Sequence, residues 1–152
     1  MKNFDFIKEL AEVIPAFHQL HAYCDKAEIF QKAFPEESAA NARKALEWLV
    51  KNHLAMAKVT LEPHETLSQM LKRPEIDAFV NEDWELIEDM RTVKKIGNYA
   101  AHTGTQKIRK NDAFICLRAL YHVHQRSDRS HQNDDEQEKD GYLLAAFAQG
   151  GE

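Results

Sequence analysis

Arg91, Lys95, Asn98 and His102 follow one another at steps of four, three and four. On a helix turning about 100° per residue they fall on one stripe, and Trp84 joins it two turns earlier. Two cations, an amide and an imidazole make a plausible set of groups for anion binding. A guanidinium grips phosphate in a fixed planar fork, an ammonium holds it as a point charge, and Asn can orient a neighbour or hold a carbonyl. His102 could also serve as a general acid or base, because imidazole titrates near neutral pH. Lys94 and Tyr99 flank the stripe. The same pattern describes an ordinary solvated helix face. Trp84 argues against that reading, since an indole is costly to leave in water.

A second stripe on the same segment is apolar or small: Leu86, Met90, Val93, Gly97 and Ala100, also at steps of four and three. It lies roughly opposite the polar stripe and reads as a packing face. Gly97 costs about 1 kcal/mol against alanine inside a helix. A close helix crossing, helped by Ala100 and Ala101, is the expected compensation. Gly97, Ala100 and Trp84 are therefore expected to have structural roles. Arg91, Lys94, Lys95, Asn98 and His102 are the candidate ligand- or nucleic-acid-binding residues.

Other residues offer less chemistry. His18, His21 and Cys24 step by three, but a metal would need a further ligand from elsewhere, so core packing is the expectation and no metal or cofactor is assigned. His122 and His124 are two apart and point to different sides of a helix. Two cysteines, Cys24 and Cys116, make no disulfide framework. No Gly-rich phosphate loop, nucleophile elbow or paired carboxylate site is present.

The bulk properties agree. The chain has 152 residues, enough for one domain with a core of its own. Only 5 Gly and 4 Pro argue against a turn-rich β fold. No apolar run reaches the roughly 20 residues of a membrane helix. Asp5, Glu9 and Glu12 interrupt the N-terminus, so it does not read as a signal peptide. A cytoplasmic protein without a membrane partner is expected. From Asp128 to Glu152 there are seven acids and two bases, which account for the whole net charge of -5. Met1 to Ser127 therefore sums to zero, which excludes a general polyanion binder but leaves room for a local basic patch.

The elements that must position the stripe are helical throughout. Ile7, Leu10, Ile14, Phe17, His21 and Cys24 predict one buried face, interrupted at Pro15, where a main helix should begin. Pro35, Glu36 and Glu37 start the next helix, with Ala39, Ala42, Leu46, Leu49, His53 and Ala57 as its stripe and Ala39, Ala40 and Ala42 allowing a neighbour to approach. Short helices follow over 65–72 and from Pro74, then the Trp84 helix. A basic link holds Lys107, Arg109 and Lys110, and a last helix begins at Asn111-Asp112 with Ala113, Cys116, Leu117, Leu120 and either Val123 or His124 inward. The expectation is an all-α bundle of four to six helices over 1–125, a polar linker over 126–140 and a short apolar tail over 141–152.

Gly97-Asn98-Tyr99-Ala100-Ala101-His102 resembles the G-N-x-A-A-H signature of a domain of unknown function found near the N-terminus of type I restriction endonuclease R subunits and in other bacterial proteins. The segments 3–7 and 14–17 resemble that family's opening, and Ala39, Arg43, Glu47 and Val50 resemble its arginine-bearing helix. The resemblance covers roughly Asn3 to Gln125. It implies a HEPN-like bundle and a non-catalytic accessory domain of a restriction-modification system. The implied partners are other restriction-enzyme subunits, a second copy of itself, or nucleic acid. In such a parent the DNA-translocating ATPase and the endonuclease would lie in other domains. Two alternatives come with it: a metal-independent HEPN-type ribonuclease or toxin using His102 with Asn98, and a plain homodimerisation bundle. Active HEPN sites carry an Arg a few residues before the His. Gly97 stands five before His102, Lys95 seven and Arg91 eleven, and a lysine does not reproduce the bidentate fork. The resemblance therefore favours a binding or bracing role for Asn98 and His102.

Overall fold

The computed structural model describes residues 3–80, 83–101 and 107–129, the side chains of Ala78, Phe79 and 126–129 excepted. The described residues form seven helices and no strand: α1 Asp5–Val13, α2 Phe17–Phe30, α3 Pro35–Met56, α4 Leu67–Leu71, α5 Pro74–Val80, α6 Trp84–Ala101 and α7 Lys110–Arg129. The all-α expectation holds, with more helices than expected because prolines divide the chain finely. Pro15 sits in a turn between α1 and α2, where the Phe17 and His18 amides bond back to Ile14 and Pro15 carbonyls at 3.0 Å. Pro74 opens α5 directly after α4.

α3 is the central element, packed against α2, α6 and α7, while α6 and α7 also pack on each other and α1 lies on α2. Its first turn carries Pro35, Glu36 and Glu37, which suit the positive end of a helix. Being enclosed from several sides, α3 buries a broader face than the single expected stripe. Ser38, Ala39, Ala42, Ala45, Leu46, Val50 and Leu54 are buried, whereas Leu49 and His53 are only half-buried and Ala57 is exposed. The Ser38 hydroxyl donates to the Ala27 carbonyl and ties α3 to α2. α2 keeps Phe17 and Cys24 on its buried face, as the spacing predicts. Phe17, Leu20, Cys24 and Ala27 are buried there, and His21 is half-buried.

Local signals set the remaining boundaries. Thr66 and Gln69 form a reciprocal capping box on α4. Arg73 donates to both carboxylate oxygens of Glu65 at 2.9 and 3.1 Å, bracing that short helix. Asp83 accepts the Leu86 amide at 3.1 Å and caps α6. Asp112 accepts the Arg109 amide at 2.9 Å at the start of α7. That helix runs to Arg129, past the expected bundle boundary at Gln125. The rest of the expected linker and the apolar tail lie outside the described residues. None of the described helices is long and apolar enough to cross a membrane.

Candidate interaction site

α6 is held by its inner face. Leu86, Met90, Val93 and Gly97 are buried, as the spacing predicts, while Ala100 is half-buried and Ala101 exposed. Gly97 has a specific physical requirement. A Cβ there would stand 2.5 Å from Arg43 Cβ and 3.1 Å from both the Ala39 carbonyl oxygen and Arg43 Cδ. The contact with α3 is thus closer than a side chain allows, and it accounts for glycine at this helical position. The neighbour is Ala39 and Arg43 of α3 rather than another part of α6.

The outer face carries the candidate residues. Trp84 is 73% exposed. Arg91 is exposed and paired with Glu88 one turn earlier at 3.3 Å. Lys95 is exposed, and Lys94 and Asn98 are half-buried. His102 lies outside the described residues. The stripe does not form a single site. Arg91 points toward α5, where it lines a small cleft with Asp77 and Met90. Lys95 points the other way, toward α7.

On the α7 side lies an open groove of about 670 Å³. Lys95, Thr92 and Tyr99 of α6 form one wall, Lys107, Arg109 and Asp112 the other, and Ile96 and Ile108 also line it. Tyr99 remains 40% exposed. Three cations and a phenol ring face a shared space, and the one carboxylate is bonded to the Arg109 amide. Lys107, Arg109 and Tyr99 were not among the candidate binding residues. Their sequence signal was the basic link itself, whose relation to Lys95 depends on how α7 returns along α6. Chemically the groove can hold an anionic group by charge and an adjacent planar or apolar group against Tyr99.

The remaining titratable groups are poorly placed for chemistry. Cys24 Sγ lies 3.8 Å from His124 Nε2, but both are buried. Burial pushes the Cys24 thiol well up, with Glu28 and Asp25 adding to the effect, and pushes the Cys116 thiol up to about 12. Burial also lowers His124 to about 4, so the pair is a neutral thiol beside a neutral ring. The His124 ring lies edge-on to Phe4 and Phe6 at 6.0 and 6.1 Å between centroids. Asp89 is raised above the usual carboxylate range, chiefly by burial and against the opposing pull of His122, 3.8 Å away. Among the described residues no group of three or more His, Cys, Asp or Glu side chains is arranged to hold a metal ion.

Compared with known proteins, the chain matches no protein-family model, no curated protein and no solved structure.

Proposed function

We propose that this chain is a non-catalytic interaction domain whose contact site is the groove between α6 and the start of α7, open to a macromolecular surface that presents negative charge. The observation that carries this reading is the convergence of Lys95, Lys107 and Arg109 with the half-exposed Tyr99 on one open groove. The sequence resemblance to the N-terminal domain of type I restriction R subunits agrees with an accessory role. In that setting the partner would be another subunit, a second copy, or DNA, and translocation and cleavage would belong to other domains.

A polyanion of known chemistry tests the groove. The wild-type chain is expected to be retained on immobilised heparin, with Lys107→Glu/Arg109→Glu eluting at clearly lower salt. Lys26→Glu/Lys44→Glu, exposed changes on α2 and α3 that alter the net charge by the same amount, control for net charge. Equal shifts from the groove and control variants would remove the groove as the site. An RNA-cleavage assay on the wild type and His102→Ala addresses the catalytic alternative. Metal-independent cleavage lost on that substitution would replace the accessory reading with a ribonuclease.

A further inference from the structure

We propose that a second pocket, formed by the residues leading into α1, the end of α2 and the middle of α7, binds a free α-amino acid with an aromatic or large aliphatic side chain. Glu28 takes its ammonium group, Arg118 its carboxylate, and the rings of Phe4, Phe114 and Tyr121 its side chain. None of the residues lining this pocket lines the groove beside Lys95, so the two sites are separate.

The negative anchor is a residue that folding leaves unexplained. Glu28 lies in the last turn of α2, where the helix's own partial negative charge disfavours a carboxylate. It is half-buried. Its Oε2 accepts the Asn3 amide at 3.3 Å, but its Oε1 is sealed from solvent with no hydrogen-bond partner. A charged oxygen in that position is costly unless a donor meets it. The last torsion of a glutamate is soft, so the carboxylate can turn Oε1 into the pocket that it lines. What makes the position poor for a carboxylate alone makes it good for an ammonium ion: a fixed negative charge beside the negative end of a helix.

The rest of the pocket selects the other end of the ligand. Its volume is about 280 Å³, close to the lower limit of small-molecule sites, which run from about 300 to 1,000 Å³. That suits an amino acid rather than a nucleotide or a folded partner. Phe4 is buried and meets the Tyr121 ring edge-on at 5.9 Å, so these two walls are apolar and held in place. Phe114 lines the same pocket and is 52% exposed, a large ring left for a ligand to cover. Arg118 is exposed and also lines the pocket, while the hydrogen bond of Glu28 runs to Asn3 rather than to Arg118. Opposite charges in one aromatic-walled pocket match the two ends of a zwitterion. Arg118 also attracts Asp89 of α6, which makes it the weaker anchor and Glu28 the stronger.

Titration of the full chain with L-phenylalanine, followed by amide proton–nitrogen NMR spectra, tests the pocket. Saturable shifts with a dissociation constant of about 1 mM or tighter are expected, centred on the amides of Glu28, Phe114 and Arg118. With 3-phenylpropionate, which lacks the ammonium group, binding should weaken by about tenfold or more. With phenethylamine, which lacks the carboxylate, it should weaken by about threefold to tenfold. Glu28→Gln keeps an acceptor for the Asn3 amide and should weaken L-phenylalanine binding by about tenfold or more. The same variant should unfold at or above the wild-type temperature, because it removes a poorly partnered charge. Phe114→Ser, an exposed change, should weaken binding by about threefold, and Lys44→Glu on α3 should leave it unchanged.

The absence of a saturable shift up to roughly 10 mM, shifts confined to the groove around Lys95 and Tyr99, or 3-phenylpropionate bound as tightly as L-phenylalanine would overturn the amino-acid site. Phenethylamine bound as tightly as L-phenylalanine would reject the role of Arg118, and with it the amino acid, in favour of a simple amine. A Glu28→Gln variant that binds like the wild type, or that unfolds at a clearly lower temperature, would assign Glu28 to the fold and overturn its role as the anchor.

Discussion

The two faces of α6 share a backbone but answer to different constraints. On the inner face, residue identity follows from the position of α3 and α7. Leu86, Val93 and Gly97 are sealed, and at Gly97 even a methyl group would overlap Arg43. On the outer face the bundle makes few demands. Trp84, Arg91 and Lys95 are exposed, and Arg91 makes a surface ion pair of small expected energy with Glu88. The inner face therefore reports what folding requires. The outer face carries an exposed indole and a signed charge pattern that folding does not explain, and this separates a packing stripe from the proposed contact surface on one helix.

The largest effect expected on the inner side comes from truncating a sealed side chain. Leu86→Ala removes buried methyl groups between α6 and its neighbours and should cost about 2–5 kcal/mol in urea unfolding. A cost under 1 kcal/mol would mean that the inner face is loosely packed and that the contrast with the outer face is weak.

Acid should expose the same interior through α7. His124 is lowered by burial to about 4, from 6.5 when unfolded. Above pH 6.5 the ring is neutral in both states and stability is full. Between 6.5 and about 4 the unfolded chain takes up a proton that the folded chain refuses, so stability falls, by roughly 3 kcal/mol at the limit. His124→Phe should flatten this part of the stability–pH curve relative to wild type. An unchanged slope would show that His124 is not the group responsible.

Gly97→Ala tests the close crossing. The added Cβ would lie 2.5 Å from Arg43 Cβ, an atom next to the α3 backbone that cannot swing aside. Overpacking of this kind costs about 1–3 kcal/mol, against roughly 1 kcal/mol gained in helix propensity. A net loss of about 1 kcal/mol is expected from thermal unfolding. Arg43→Gly, which removes the opposing Cβ, should lessen the loss when combined with it, whereas Arg43→Ala keeps that atom and should help little. A stabilised Gly97→Ala would refute the account of why glycine is there.

The inner face was readable in the sequence because helical periodicity and burial are local consequences of one another: Leu86, Met90, Val93 and Gly97 could be placed without knowing what they touch. The identity of the touching atoms was not readable. Arg43 lies more than fifty residues before Gly97, and only the antiparallel return of the chain brings α3 to it. The same limit hid the groove. Lys95 was visible as a candidate, but its companions Lys107 and Arg109 belong to the link just before α7, and their convergence depends on the connection after α6. Proline positions forecast the breaks at 15, 35 and 74, and Phe17 and Cys24 are buried as expected, yet Leu20 rather than the half-buried His21 lies between them in the core. Single stripes also failed on α3, because a helix enclosed by three others buries more than one row.

Trp84→Ser should have the smallest effect on folding. The indole is 73% exposed, so little apolar surface is lost from the folded chain, and exposed substitutions of this kind change stability by about 0.5 kcal/mol or less. The α6 cap stays intact, because it is made by the Asp83 carboxylate on the Leu86 amide rather than by the indole. If the outer face is a contact surface rather than a packing face, the variant should unfold at nearly the wild-type temperature. A loss above about 1 kcal/mol would show that Trp84 is braced against its own chain. The division between the two faces of α6 would then fail at the residue that best defines it.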